Sequence, residues 1–591
     1  MAEFSLVHEP WIRVRNKKGE IQEVSLLDIF AFSHEYISLA GELPAQDIAI
    51  LRLLLAIMYR VFSLVDENGS SSPLDNDTMG RKEKGRLALL RWNAIWKNKR
   101  MPFEPIKNYL TKWEKRFDLY DEKYPFYQVP LKFVEDANIS KAARLDGTLF
   151  KSGNDNGKTK ILANRKFTDD LRLTDSEAAR WLLFIQAFDD GSIKKPVPSV
   201  GLCGRLALLA LRGNNIFETI MLNWPLLKDG SEPWSCSSGD NVENICMLPN
   251  LPCWELDEPR TSIVLTNVDE KGKTKLEKII VGRPKYPIPL LTHQSRRICL
   301  LRDGGGVYGY KAKSGDNIET DDCRTEQMTL WKKTKSKDKL DIDKPNVEVL
   351  LSGASWRSFG AITAVEGENT TAGVLLWIKE LQKEKLLCRE MLLKFDTLAF
   401  EYGSMNSAIK TMTYSTLTFP NALLLTEKQE AYKRVVTEIE KCCGATNSMV
   451  EALKLLAVDL YKCCTNFDEK QQTQKKKKIA LESEIQDTFF SRLDYVFPSW
   501  LACLNVDDSN IMLESFQKLR QETINIVFDV ARNWVDRYSM TAIIGRTYSD
   551  KNEHNDKKIY NNVFIAWNKF VARLIRYEII VKKQGVVGNE C

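Results

Sequence analysis

The rhythm of hydrophobic and polar positions changes several times along the chain. At the start, "WIRVR" and "IQEVSL" alternate apolar and polar residues around an "NKKG" turn, which predicts a β-hairpin. From about Asp47 to Val65 apolar residues recur at helical spacing and predict a long helix with one broad buried face. "ENGSSSPLDNDTMG" reads as a loop. Further helical segments run on to "KWEKRFDLY". Between Asn138 and Lys166 no period is sustained, and so long a stretch inside a folded region is usually functional or disordered. Helical spacing returns at "TDSEAARWLLFIQAF", with Thr174 or Asp175 placed to cap it.

From about Trp254 to Val365 short apolar runs such as "SIVLTNV", "RRICLL" and "VYGYKA" are divided by Gly and Asp, as in strands and turns. After about Asn421 five amphipathic segments follow one another and predict a bundle. "EKQEAYKRVVTEIEKCC" and "SMVEALKLLAVDLYKCC" are the first two, and a lysine-rich linker, "KQQTQKKKK", follows them. The expected fold class is therefore α+β. A large mixed α/β domain spans 1–420, and a C-terminal helical bundle spans 421–591.

Composition narrows the picture. The 591 residues are 43% hydrophobic and 28% charged, as in an ordinary soluble globular protein. The net charge is only +6, so a nucleic-acid footprint has to be local. The N-terminus lacks a signal pattern. The most apolar run, "IAILRLLLAIMYRVFSLV", is broken by Arg52 and Arg60, which suits a buried helix better than a membrane span. A cytoplasmic protein with no membrane partner is expected. The thirteen cysteines include no C-x-x-C, and the adjacent pairs Cys442-Cys443 and Cys463-Cys464 have no histidine near them, so packing is favoured over metal.

Candidate chemistry is sparse. Gly153 with Gly157-Lys158-Thr159 falls one residue short of a phosphate-binding P-loop, and neither a strand before it nor a helix after it is evident. "GGGVYG" matches G-x-G-x-x-G, but a strand pattern follows, so a hairpin turn explains the glycines better. The four histidines form no metal-ligand or triad spacing. The basic features say more. Lys151, Lys158, Lys160, Arg165 and Lys166 face one acid, Asp155, on a Gly- and Asn-rich loop able to follow a phosphate backbone. A solvated surface loop is the equally weighted alternative.

Several segments, in order, resemble the large subunit (CasA family) of the type I-E CRISPR surveillance complex, Cascade. They are "FSLVHEPWIRVR", "RFDLYDEKYPFYQV", "LTDSEAARWLLFIQAFDDG", "LLALRGNNIFETIMLNW", "LPCWE", "LLTHQSRRICL", "ASWRSF" and "TLTFPNALL", covering roughly Phe4 to Leu424. The resemblance implies a non-catalytic subunit; some relatives carry paired C-x-x-C segments suited to zinc, and because this chain has none, no metal or cofactor is expected. Its expected partners are the guide CRISPR RNA, the other Cascade subunits, target double-stranded DNA at the PAM, and a helicase-nuclease or nuclease-bearing subunit. The family's long loop near the 5′ end of the guide corresponds to Lys151–Lys166. Lys151, Ser152, Gly153, Asn154, Asn156, Lys158, Lys160, Asn164 and Lys166 would meet nucleic acid there. The family's glycine loop corresponds to "KKPVPSVGLCG", where Lys194 and Lys195 supply charge and Gly201 a close backbone approach. In "QSRRICL" strand alternation lets one of Arg296 and Arg297 reach DNA while the other pairs with an acid or with another subunit. The family's duplex wedge aligns with Met405 and Asn406. Two rivals remain: an enzyme acting on nucleotides or nucleic acid, and a purely structural scaffold.

Overall fold

A computed structural model describes residues 3–580, apart from 75–78, 146–170, 192, 194–199, 227–246, 260–262, 269–273, 281–282, 285, 321–322, 324, 336–340, 364–368, 389, 407, 425–429, 466, 468–470, 539 and 551–556. The chain divides into two compact units. The first is Met1–Ser355 with Ala361–Arg389 and Leu393–Thr416; the second is Trp356–Gly360 with Glu390–Leu392 and Leu417–Cys591.

The first unit opens with the expected hairpin. Ile12–Asn16 pairs antiparallel with Ile21–Val24, and its other edge takes Tyr36–Leu39. The Asn16 side chain accepts from the N–H groups of Lys18 and Glu20, and Gly19 takes φ +85°, a left-handed conformation that glycine adopts without strain.

The long helix runs Pro44–Phe62, with Pro44 in its first turn. It is buried almost all round rather than on one broad face. That requires its arginines to be neutralised. Arg52 forks onto both oxygens of Glu326 at 2.9 and 2.8 Å and donates to the Leu290 carbonyl at 3.0 Å. Arg60 forks onto Glu255 at 2.7 and 2.8 Å, and Glu255 also accepts from the Tyr109 hydroxyl, which in turn accepts from the Trp254 indole. The Trp-Glu of "LPCWE" is therefore structural. No helix among the described residues is long and apolar enough to cross a membrane.

Three more elements position the candidate site. Helix Asp175–Phe188 starts in a reciprocal capping box between Thr174 and Glu177. Strands Arg296–Asp303 and Gly306–Ser314 form a hairpin whose outer edge pairs with Ile139–Lys141. Its turn is Gly304-Gly305, and Gly306 has φ +112° with no room for a Cβ beside the Leu173 carbonyl, so the glycine run closes a hairpin. Strand Leu392–Tyr402 is central in a third sheet, between Leu208–Arg212 and Ile409–Pro420.

The second unit is built on helices Glu430–Cys464, Gln472–Ala502, Ser509–Val535 and Val563–Arg576. Two sequence expectations change here. The segments on either side of Gly444 are one helix of 35 residues, because open space surrounds Gly444 and burial on both sides outweighs its cost of about 1 kcal/mol. The lysine run is not linker but the first turns of Gln472–Ala502, consistent with lysine's good helix propensity. A hairpin of Arg546–Asp550 and Lys557–Asn561 was not foreseen. The cysteine pairs pack: the Cys443 thiol donates to the Trp356 carbonyl at 3.3 Å and Cys463 to Asp459 at 3.2 Å. Burial pushes Cys442 up to about 11 and Cys463 to about 12.

Asp47, in the first turn of the long helix, accepts the Gly41 N–H at 2.7 Å. Burial raises its carboxyl to about 7, and the nearby Asp396 charge adds to the rise. An acid raised in the folded state costs nothing below its ordinary pKa near 4, and its penalty grows as pH climbs from about 4 to 7. Asp47→Asn keeps an oxygen for Gly41 and removes that penalty. The variant should therefore gain stability relative to the parent between pH 5 and pH 8, by at most roughly 4 kcal/mol. Denaturant titrations at the two pH values check it, and a pH-independent difference would refute it.

Candidate nucleic-acid interface

Helix Asp175–Phe188 ends in Phe188-Asp189-Asp190-Gly191. Acids are the wrong sign for a helix C-terminus, where the backbone dipole is already negative. Folding supplies the counter-charge. Arg296, with a side chain fully removed from solvent, donates its Nε to Asp189 Oδ2 at 2.5 Å and an Nη to the Asp190 carbonyl. The Arg296 backbone is also docked. Its N–H donates to Gln186 Oε1 at 2.9 Å, and its carbonyl accepts from Gln186 Nε2 at 3.0 Å.

The Gly201 N–H donates to the Asp189 carbonyl at 2.8 Å, so Gly201 is pinned against the end of the helix. A Cβ on Gly201 would sit 2.4 Å from the Ala187 carbonyl oxygen, so only glycine fits there. The Leu202 N–H then donates to the Ser295 hydroxyl, beside Arg296.

The tip of the Leu392–Tyr402 and Ile409–Pro420 hairpin docks on the same helix end. Phe400 stacks on Phe188 with ring centroids 4.8 Å apart. The Tyr402 hydroxyl donates to the Phe188 carbonyl at 2.8 Å, over Gly204, where any Cβ would overlap it. Burial holds the Tyr402 phenol well above its ordinary pKa. The tip itself is a single 3₁₀ turn, Ser404–Asn406, closed by Asn406 N–H to Gly403 O and Gly403 N–H to Ala408 O. Asn406 is exposed with φ +54°, which Asn tolerates better than most residues. Its carbonyl accepts from Gly191 N–H at 2.6 Å, so the tip and Gly191 are tied backbone to backbone.

The fold thus brings together Gly201, Arg296, Met405 and Asn406, which are far apart in sequence. Two expectations need correction. Arg296 does not reach outward, because Asp189 and Asp190 claim its guanidinium inside the protein. Gly201 is buried, and its close approach is to the protein's own helix rather than to a groove. Arg297 faces the other way, as alternation requires, but its side chain is only 13% exposed and pairs with Asp316. Both arginines therefore carry acids, where one was expected to stay open.

Lys194 and Lys195 lie outside the described residues, as do Lys151, Ser152, Gly153, Asn154, Asn156, Lys158, Lys160, Asn164 and Lys166. The flanks of the latter stretch are described, and both end on one strand. Lys141 lies opposite Gly309, and Leu173 bridges Val307. That strand is the hairpin partner of the one carrying Arg296 and Arg297. Tyr402, Phe188 and Asp189 hold the corner together and were missed from sequence. The only hint was an acid pair directly after a well-capped helix.

The fold and this corner define a class: a two-unit α+β protein whose first unit ties a hairpin tip to the end of a buried helix. The model for CRISPR-associated protein Cse1 matches residues 5–529, and the chain belongs to that family. This is the CasA family that the ordered sequence segments resemble. A CRISPR-associated protein CasA/Cse1 of Thermus thermophilus is 25% identical over 517 residues, covering 85% of this chain and 88% of the relative. The crystal structure of Thermobifida fusca Cse1 superposes with a TM-score of 0.69 at 23% identity, covering 97% of this chain and 96% of that one. A chain of a CRISPR RNA-guided surveillance complex matches with a TM-score of 0.57 at 15% identity, covering 90% and 99%.

Arg296→Ala removes the counter-charge of a buried carboxylate without touching any surface. It should lower the unfolding free energy of the isolated chain by about 3–5 kcal/mol. Arg297→Ala leaves the enclosed Asp316 carboxylate without that partner and should cost a similar amount. If Arg296→Ala melts like the parent in guanidinium and loses only duplex binding, the guanidinium contacts DNA after all.

Proposed function

We propose that this chain is the non-catalytic large subunit of an RNA-guided CRISPR surveillance complex and that it recognises the PAM in target duplex DNA. In this reading it wedges the duplex open beside the PAM, starts R-loop formation and helps position the nuclease. Family membership supports a place in such a complex. The observation that carries the finer reading is the tip turn Ser404–Asn406 fastened to Gly191, just past the helix end, by the Asn406–Gly191 hydrogen bond. Unstacking a base step costs a few kcal/mol, which a wedge can impose only if it is held rigidly from behind. Phe400, Tyr402 and Phe188 provide that hold. Asn406 has a carboxamide suited to a freed base edge. The cationic loops, Lys151–Lys166 and Lys194-Lys195, supply phosphate attraction to guide or target.

The wedge is tested by Met405→Gly combined with Asn406→Gly in the assembled complex, with 2-aminopurine placed just inside the PAM. PAM-duplex affinity should stay near parental while the fluorescence rise on opening slows or shrinks. Opening at parental rate and extent would return the segment to a surface turn. The loop is tested separately by neutralising Lys158, Lys160 and Lys166. Binding should weaken alike for all sequences, with the slope of log affinity against log salt reduced by about one unit per lost contact. Unchanged affinity and slope would leave the loop without a phosphate role.

A further inference from the structure

On the first unit, strands Leu208–Arg212, Leu392–Tyr402 and Ile409–Pro420 turn one face toward the start of helix Pro44–Phe62. Between them lies a cavity of about 580 Å³, walled also by strand Tyr36–Leu39. That volume is within the range of small-molecule sites. About half of the wall is Ile, Leu, Ala and Pro, which can cover the faces of a flat ring, and the other half is largely polar and charged.

Asp396 and Arg212 form the centre. Arg212 Nε donates to Asp396 Oδ2 at 2.9 Å, and its Nη2 donates to the Tyr414 hydroxyl at 2.9 Å. The other carboxylate oxygen, Asp396 Oδ1, is buried and accepts no hydrogen bond. A buried acceptor left open is a penalty that a ligand donor relieves. Asp47 and Glu42 also line the cavity; Glu42 pairs with Arg180 at 3.7 Å, whereas Asp47 lies within electrostatic reach of Asp396, so these two carboxyls share one space. Arg15 and Lys394 line it too, and both are exposed to solvent. Acceptors thus lie deep, a guanidinium stands beside them, and cations sit at the mouth.

We propose that this cavity is a guanine-nucleotide site. Guanine presents two adjacent donors, N1–H and N2–H₂, next to the acceptor O6. The two carboxyls match the donors, Arg212 matches O6, and Arg15 with Lys394 meets the phosphate. Adenine offers only one donor on that edge and leaves a carboxyl unanswered. The partly neutral state of Asp47 near pH 7 lowers the cost of holding two carboxyls together. The proposal stands on the cavity alone and does not depend on the duplex-opening role. The same chemistry is available from a free mononucleotide or from a guanine unstacked from a strand.

Calorimetric titration of the full chain with guanosine 5′-monophosphate tests it. We expect saturable binding, at least tenfold weaker binding of adenosine 5′-monophosphate, and none of ribose 5-phosphate. Asp396→Asn should weaken the guanine nucleotide at least tenfold. Lys394→Ala, an exposed change, should weaken the nucleotide but leave guanosine unaffected, a split that a merely structural role would not produce. Competition by a thymine oligonucleotide bearing one guanine assigns the ligand to a strand; its failure to compete, with the mononucleotide bound, assigns it to the free nucleotide. The proposal is overturned by the absence of guanine-nucleotide binding, by equal binding of the adenine nucleotide, or by parental affinity in a folded Asp396→Asn. Should Asp396→Asn not fold, parental nucleotide affinity in Lys394→Ala overturns it instead.

Discussion

The guanidinium of Arg296 against Asp189 is the contact on which the corner of the first unit depends. Two acids at the end of a helix repel the helix dipole and each other, so without an internal cation this end would fray. With Arg296 in place the Asp189 carbonyl is fixed, and that carbonyl holds Gly201. The Phe188 carbonyl is fixed one residue earlier, and it holds Tyr402 and therefore the hairpin tip. A buried ion pair is seldom a net source of stability compared with apolar packing. Its effect here is geometric: it sets where two surface features stand relative to each other.

Much of the fold was legible because it rests on local chemistry. The first hairpin is written in alternation and an Asn-to-Gly turn, and helix Asp175–Phe188 in its capping box. The glycine run before Val307 reads correctly as a turn once a strand is seen to follow it. The misreadings have different causes. Gly444 looks like a break because propensity is local, whereas the burial that overrides it comes from distant residues; the lysine run is mostly exposed and helical by its own propensity, and only its charge made it look like a linker. What the candidate residues contact inside the protein was not legible. Arg296 and Arg297 look like surface cations in isolation, because Asp189 and Asp316 are brought to them only by folding. Gly201 looks like a contact glycine until Ala187 is seen against it.

The electrostatics separate two tasks. The described corner holds little uncommitted positive charge: Arg296 and Arg297 carry acids, and Lys410 pairs with Glu401 at 2.9 Å. A chain of net charge +6 has little to spend elsewhere. Phosphate attraction in the proposed role therefore falls to the lysines of the two loops. The corner itself contributes shape, backbone groups and the Asn406 side chain. Such a division suits a reader of a short motif, since phosphate contacts set position while groove-facing groups set specificity.

The backbone tie between Gly191 and Asn406 gives this division a mechanical consequence. Force on the tip passes through the Asn406 carbonyl to Gly191, next to Asp190, whose carbonyl is held by Arg296. Force on Gly201 passes through the Asp189 carbonyl to the same helix end. Gly191 and the tip therefore share one abutment and cannot move independently without breaking the hydrogen bond between them. If the loop engages a duplex, the tip is already aimed at it, and the cost of aiming was met when the protein folded rather than when DNA binds. An isolated turn bearing Met405 and Asn406 would have to be ordered on each encounter; anchored at Phe188, it does not.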